Sequence, residues 1–331
     1  PENSLEAARA LKQLRAVVRS KGNAAATGSA SAAVLHDKAA QRRFDLTSSL
    51  IRRTSEALEQ RLLGTFELVY QEGGGAYDFS PKPRPGSMDW RELRSLAQAL
   101  LLFDSGRNLH SRYVDMVVTS RFPELFKESI QQQRTTPKTR ADAEFDMDTT
   151  RSKLSNLFHR VSDVCTAEFE LIAYVFGSTM AGSGRGHHHH GENGRANSDG
   201  SEEMALVVAR ALLQRVISDP QNGLQARIND LLASIDRIGD FDAGAKKLDT
   251  FVVIHEKAAG LFSLLKDAAD RMIPQDVLDA NNASMPSATY LAARNAVDSL
   301  KGFLTSQELA LSNTHRQGYI NLELRLLHHD C

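Results

Sequence analysis

The chain has 331 residues, with 40 Lys or Arg against 41 Asp or Glu, so its formal net charge is -1. A near-neutral chain has no global attraction to nucleic acid or to an anionic membrane, although a local basic patch is compatible with this balance. The hydrophobic fraction of 41% and the charged fraction of 24% are ordinary for a folded globular protein. Aromatic residues make up only 6%, which disfavours an all-β fold, and the length allows two or three domains.

The cysteine content and the chain ends bear on the cellular compartment. Only Cys165 and Cys331 are present, so no disulfide framework exists, which suits a reducing compartment. The longest apolar run, Ala99 to Phe103, is far shorter than the ~18 residues that a membrane-spanning helix needs. The sequence starts at Pro1 without a charged-then-apolar signal pattern, and we expect it to be part of a longer polypeptide.

Hydrophobic residues recur with a 3.6-residue period in long segments separated by Gly, Ser and Pro. No segment shows the alternation of a strand. The pattern predicts an all-α protein, an elongated rod of stacked antiparallel helical bundles. In chain order, helices are expected at 4–20, 38–71, 88–104, from 108 with a separate short helix at 122–132, then at 148–176, 201–218, 224–235, 248–269 and 288–327.

The composition of the loops suggests the domain organisation. We expect an N-terminal helical bundle at 1–132, a polar linker at 133–147 and a second helical bundle region at 148–331. The second region contains a Gly/His-rich insertion at 177–200. This insertion has too little apolar surface to offset its ordering entropy, so we expect it to be disordered.

Residues at the centre of the apolar stripes are the predicted core. In the second helix the stripe starts with Leu46 and Leu50 and continues towards Val69. In the helix over 248–269 the stripe includes Val252, His255 and Ala259. One residue from each of five segments is predicted to be buried: Leu62, Leu101, Phe158, Val208 and Phe262.

Patterns typical of catalysis are incomplete in this sequence. It contains neither Gly-x-x-x-x-Gly-Lys nor Gly-x-Ser-x-Gly. His255-Glu256 begins like a zinc-protease helix, but Ala259 stands where the second His is needed, so we interpret His255 as a core or flank residue. Cys165 lies on an apolar stripe and is predicted to be a buried, inert thiol. We therefore predict no catalytic residue and no cofactor, and expect the protein not to be an enzyme.

Two clusters have residue types that bind metal ions. His187–His190 would chelate divalent ions in vitro, but they lie in a glycine-rich tract without residues to orient them. The alternating acids of 142–148 resemble a calcium loop, yet the positions that need Gly and Glu hold Met147 and Lys153. We interpret this segment as a solvated acidic linker or an acidic helix N-terminus, and predict no metal site.

Four arginines form a basic strip on the second predicted helix: Arg42, Arg43, Arg52 and Arg53. Arg42 and Arg53 are eleven positions apart and therefore project in nearly the same direction. The strip could bind a lipid headgroup or an acidic partner, and the alternative is a solvated helix face. Too few aromatic residues lie among the arginines for a single-strand nucleic-acid platform.

Several stretches, in order along the chain, resemble the Sec-ten type subunit of the exocyst, also called exocyst component five. One is Leu58-Glu59-Gln60-Arg61-Leu62-Leu63 with Phe66, which resembles Leu-Glu-x-x-Leu-Leu-x-x-Phe in that family. The next is Arg94 to Phe103 followed by Tyr113-Val114. The others are Leu212 to Val216, Ile228 to Leu232, Leu248 to Leu265, and the last helix with Tyr290, Leu300, Phe303-Leu304, Glu308 and Tyr319.

This resemblance implies a rod of stacked helical bundles and no catalysis. It implies a subunit that tethers secretory vesicles to the plasma membrane, cytoplasmic and recruited peripherally to both membranes. The implied partners are the other exocyst subunits, with small GTPases and vesicle-associated proteins as further partners. Nucleic acid is not expected, and membrane contact would be indirect or peripheral. The family's N-terminal coiled-coil region has no counterpart in these residues, and 73–86 and the His tract resemble insertions.

Other functions remain open at this point. The chain could be a subunit of another multisubunit tethering complex with the same architecture. It could also be a helical effector or scaffold for small GTPases, or a helical enzyme or cofactor-binding domain.

Overall fold

The computed structural model describes residues 2–26, 38–74, 90–103, 107–131, 147–177, 200–221, 223–236, 242–273 and 288–329. All regular elements in these ranges are α-helices, which confirms the predicted all-α fold. In chain order the helices are α1 (Glu2–Ala26), α2 (Lys38–Gly74), α3 (Trp90–Leu100), α4 (Arg107–Gln131), α5 (Met147–Phe176), α6 (Gly200–Ser218), α7 (Leu224–Asp236), α8 (Asp242–Asp270) and α9 (Ala288–His329).

The chain divides into two compact units, residues 1–113 and 114–331, and the division falls inside α4. In the first unit, α1, α2 and α3 pack against one another. In the second unit, α8 packs extensively on both α5 and α9, while α6 contacts α5, α7 and α9. Each unit therefore buries its own apolar surface between helices.

The predicted domain bounds and rod shape stay predictions. Of the predicted linker, only Met147 is described, as the first residue of α5. Of the predicted disordered insertion, Gly177 directly follows α5 and Gly200 begins α6, and the residues between them lie outside the described part. α6 begins at Gly200, one residue before the predicted start at 201.

The apolar stripe predicted for α2 is wrong in its first part. Leu46 and Leu50 are 71% and 66% exposed. The buried positions of α2 lie between Ser55 and Tyr70, on the opposite side of the helix. An apolar stripe becomes buried only where another helix packs against it, and the other helices of this unit cover the side that carries Phe66.

The core prediction is confirmed at four positions and wrong at one. Leu101 is partly exposed because α3 ends at Leu100 and the chain turns there, with the Leu101 N–H donating to the Ala97 carbonyl at 2.8 Å. Leu100 and Phe103 are buried in its place. The confirmed core residues are Leu62, Phe158, Val208 and Phe262.

The separate short helix expected from Phe122 is instead the second half of α4, which continues through Pro123. Proline in a helix interior removes one backbone hydrogen bond and costs roughly 3 kcal/mol. The two residues before it offset this cost through tertiary contacts. Phe122 is 2% exposed, and Arg121 forms an ion pair with Glu168 of α5.

Two glycines of α9 give a test of how closely α8 and α9 approach each other. A Cβ at Gly302 would meet nothing within 4 Å, whereas a Cβ at Gly318 would lie 3.0 Å from Cζ of Phe251. We expect Gly302→Ala to raise the free energy of unfolding by roughly 0.5–1 kcal/mol, because alanine is the better helix former. Gly318→Ala should raise the free energy of unfolding less, or lower it, because the added methyl group would crowd the Phe251 ring. Urea denaturation measures both, and equal gains would contradict the close approach at Gly318.

Candidate functional site: a polar groove on the second unit

An open groove of about 710 Å³ runs between α5 and α8. These two helices pack side by side along much of their length, and the groove lies where their solvent-facing edges meet. The side chains that line it are Arg151, Ser152, Ser155, Asn156 and His159 from α5, and Val253, Glu256 and Lys257 from α8.

The groove contains charges of both signs, several of which are paired nearby. Arg151 Nη2 lies 2.8 Å from Asp249 Oδ1, and His159 Nε2 lies 3.4 Å from Asp163 Oδ2. Small-molecule sites are usually enclosed and mostly apolar, whereas this groove is open and polar. It is therefore suited to hydrogen bonding with the surface of another protein.

The zinc-protease-like sequence lies at the edge of this groove. Glu256 lines the groove, while His255 and Ala259 are exposed on α8. The buried positions on this part of α8 are Val253, Ile254 and Ala258, so the predicted stripe through Val252, His255 and Ala259 is wrong. Two sets of residues that differ by one position repeat with the same helical period, so the sequence does not tell them apart. Packing against α5 and α9 decides which set is buried.

Cys165 is fully buried in α5. Burial raises the pKa of its thiol far above the ordinary value, and the neighbouring Glu168 carboxylate raises it further. The thiolate is the reactive form of cysteine, so this environment keeps the side chain unreactive. The side chain acts here as a small hydrophobic residue of the core.

A buried ion pair adjoins Cys165 and was not predicted. Arg121 Nη1 of α4 lies 2.6 Å from Glu168 Oε1 of α5, with side-chain exposures of 12% and 0%. One signal was available in the sequence, because Glu168 follows Val161 by seven residues and so occupies the apolar stripe of α5. Its partner could not be found in the same way, since pairing between helices has no local pattern.

His315 of α9 is a second buried titratable group, and only 6% of it is exposed. Its ring centroid lies 6.1 Å from that of Phe251 on α8, and its Nε2 has no hydrogen-bond partner among the described residues. Burial lowers the pKa of His315 below its ordinary 6.5, because the cationic form loses hydration.

This environment makes the stability of the chain depend on pH. Below about pH 6.5 the unfolded chain gains a proton at His315, while the folded chain stays neutral there. We expect the free energy of unfolding to fall as pH drops below this value, by at most about 1.4 kcal/mol per pH unit, until the folded-state pKa is reached. In urea denaturation across pH 5–7, the His315→Phe variant should lack this pH-dependent part of the free energy of unfolding. The exposed His255→Gln variant is the control, and an unchanged slope in His315→Phe would contradict the assignment.

The four arginines predicted to form a basic strip are all exposed on α2. Arg52 is paired with Glu56 one turn later, at 3.9 Å between Arg52 Nε and Glu56 Oε1. Arg43 lies on the opposite side of the helix from Arg52, and Arg42 and Arg53 lie between those two directions.

The metal-binding patterns of the sequence fall mostly outside the described residues. His187–His190 and the acids at 142, 144 and 146 lie in undescribed segments, and Asp148 lies in the first turn of α5. Where the structure is described, no three His, Cys, Asp or Glu side chains are grouped as metal ligands. None of the described helices contains a stretch both long enough and apolar enough to cross a bilayer.

No protein-family model, no curated protein and no solved structure matches this chain.

Proposed function

We propose that the chain is a non-catalytic part of an exocyst subunit of the Sec-ten type, which helps to hold secretory vesicles at the plasma membrane before fusion. The observation that carries the proposal is the placement of the stretches that resemble this family. Each stretch lies on a different helix or pair of helices and contains residues that are buried in the fold.

In the first unit, two of these stretches pack against each other. Glu59 of α2 accepts a hydrogen bond from Asn108 Nδ2 of α4, five residues before Tyr113, with a distance of 2.8 Å to Oε1. Phe66 and Tyr113 are both buried, and their ring centroids are 6.3 Å apart in an edge-on arrangement. Residues that the resemblance selects from separate stretches are therefore neighbours in the fold.

In the second unit, the last stretch connects α9 to two other helices. The Arg210 guanidinium of α6 lies over the Phe303 ring, 5.1 Å from its centroid. Lys266 Nζ of α8 lies 2.7 Å from Glu308 Oε2 of α9. One partner of each contact, Phe303 or Glu308, belongs to the stretches that resemble the family.

The proposed mechanism is geometric. Helices packed along continuous apolar seams resist bending, so binding surfaces on them are kept at fixed separations. Other exocyst subunits would bind such surfaces, and the polar groove between α5 and α8 is one of them. The protein would act in the cytoplasm, recruited peripherally to vesicles and plasma membrane, with small GTPases and vesicle-associated proteins as further partners.

Co-purification from cells tests the proposal. A tag on the full-length parent protein should recover the other exocyst subunits. The parent carrying Phe262→Ala, which removes a core ring of α8, should recover fewer of them, while Leu264→Ala on the exposed side of α8 should behave as the parent does.

Two outcomes would contradict the proposal. Recovery of a different tethering complex, or of none, would remove the assignment to the exocyst. Hydrolysis of a nucleotide or an ester by the purified chain, abolished by one polar substitution, would remove the non-catalytic part.

A further inference from the structure

One face of α2 carries arginines and leucines, and acidic residues border it along one edge only. Successive residues of a helix are rotated by about 100°, so positions three, four and seven apart share a face. All members of this basic-leucine face are exposed, and it lies opposite the buried side that carries Leu62 and Phe66. The face consists of Arg42, Arg43, Leu46, Leu50, Arg53, Ala57, Gln60, Arg61, Gly64 and Leu68.

The leucines of this face are unusually exposed. Leu46, Leu50 and Leu68 are 71%, 66% and 58% accessible to solvent. Single exposed leucines are common on protein surfaces and need no explanation. Leu46 and Leu50 are neighbours on this face, and Leu68 lies 18 residues, about 27 Å, further along it, so exposed leucines stand near both ends of one face, which indicates a surface that contacts something apolar.

The arginines lie on both flanks of that line. Arg42 and Arg53 project to one side of the leucines, and Arg43 and Arg61 project to the other. The acids of this part of α2 lie along the edge next to Arg42 and Arg53 or further round the helix: Asp45, Glu56, Glu59 and Glu67. Three of these acids have partners away from the face, since Glu56 pairs with Arg52, Glu67 with Arg112 and Glu59 with Asn108. The positions of the face itself hold four arginines and no carboxylate, so the face carries a net positive charge and complements a negatively charged surface.

The order of residues along the face distinguishes a lipid surface from a partner helix. A helix that pairs as a coiled coil carries apolar residues along one seam, at spacings that alternate between three and four residues. After Leu50 those positions hold Arg53, Ala57, Gln60 and Gly64, which provide no apolar seam. A bilayer interface requires only that leucines reach the acyl region while arginines extend to the headgroup phosphates.

We propose that the basic-leucine face of α2 binds the surface of an anionic phospholipid membrane. Leu46, Leu50 and Leu68 enter the interface, and the four flanking arginines contact lipid phosphates. This inference goes beyond the proposed tethering function, because the face would bind lipid whichever complex the chain joins. Co-purification tests the complex and vesicle binding tests the face, so failure of one leaves the other intact.

Vesicle co-sedimentation with the purified 331-residue chain tests the proposal. We expect binding to vesicles of phosphatidylcholine and phosphatidylserine, weak binding to phosphatidylcholine alone, and a decrease with added salt. Each arginine near an anionic surface contributes roughly fivefold in partitioning. Replacing all four arginines of the face by Gln should therefore weaken binding at least about tenfold, and by up to several hundredfold.

Matched variants exclude a general effect of charge or of apolar surface. A control variant replaces four exposed basic residues outside the face by Gln: Arg9, Lys12, Arg271 and Arg316. It lowers the net charge by the same amount and should leave vesicle binding nearly unchanged. Leu46, Leu50 and Leu68 changed together to Gln should weaken binding. The same change at three exposed leucines of α9 should not: Leu291, Leu309 and Leu324.

Three outcomes would overturn the proposal. The first is equal binding to both kinds of vesicle, and the second is loss of binding in the control variants to the same extent as in the face variants. The third is no binding to anionic vesicles together with arginine-dependent binding of a polyglutamate peptide, which would assign the face to an acidic protein instead.

Discussion

Replacing Arg121 by Met should lower the free energy of unfolding by about 3–5 kcal/mol, because the substitution leaves the Glu168 carboxylate in the protein interior without its guanidinium. Glu168 is fully buried, and its Oε1 lies 2.6 Å from Arg121 Nη1. Removing one member of a buried pair costs far more than the pair itself contributes, since a charge remains where water cannot reach it. Urea denaturation at neutral pH measures the loss.

Two further variants distinguish this explanation from a general loss of packing. The double variant Arg121→Met/Glu168→Leu removes both charges and should recover most of the lost stability. Arg151→Met breaks a pair with a similar distance, 2.8 Å to Asp249, but the two side chains are 55% and 40% exposed. It should therefore change stability by less than about 1 kcal/mol. A double variant as unstable as the single one would show that the buried charge is not the cause.

Replacing Phe262 by Ala should cost about 3–5 kcal/mol, because it leaves a cavity in the part of α8 that faces the core. Phe262 is 0% exposed and lies centrally in the most extensively packed helix of the second unit. The expected loss combines the lost transfer free energy of the ring with the cost of a void that the neighbouring helices cannot close.

Leu264→Ala is the control on the same helix, two residues away. Leu264 is 50% exposed, so its truncation should change stability by no more than about 0.5 kcal/mol. Circular dichroism during urea denaturation compares the two variants. Similar losses for both would mean that α8 is buried on a different side from the one the structure shows.

Periodicity in the sequence was sufficient to predict the helices but not which of their sides is buried. α2 has leucines on opposite sides, at Leu46 and Leu62, and both belong to patterns with the helical period. Only the packing of neighbouring helices decides that Leu62 is buried and Leu46 is exposed. The same limit explains α8, where Val252, His255 and Ala259 were predicted to be buried and are exposed, while Val253, Ile254 and Ala258 are buried.

Where a helix begins or ends depends partly on contacts with other helices, which the sequence of that helix alone does not reveal. Pro123 is normally a sign that a helix ends, and it favoured a separate helix from Phe122. The ion pair of Arg121 and the burial of Phe122 keep α4 continuous instead. At Leu101 the opposite occurred: the sequence predicted that the helix and its buried side continue through this residue, but α3 ends at Leu100.

The candidate surfaces were predictable to different degrees. The exposed arginines of α2 followed from sequence, because charged residues at helical spacing normally face solvent. The groove between α5 and α8 could not be predicted, since it depends on which helices pack side by side and at what angle. His315 was also missed, because a histidine on a helix has no sequence signal that separates a buried ring from an exposed one.

The burial of Cys165 has a practical consequence for measuring motion. A thiol with no solvent exposure reacts with an alkylating reagent only when the structure around it opens transiently. In a chain carrying Cys331→Ser, the alkylation rate of Cys165, compared with that of a free thiol, gives the free energy of this opening. The second unit therefore contains its own reporter of local unfolding, which can be followed by mass spectrometry without an attached dye.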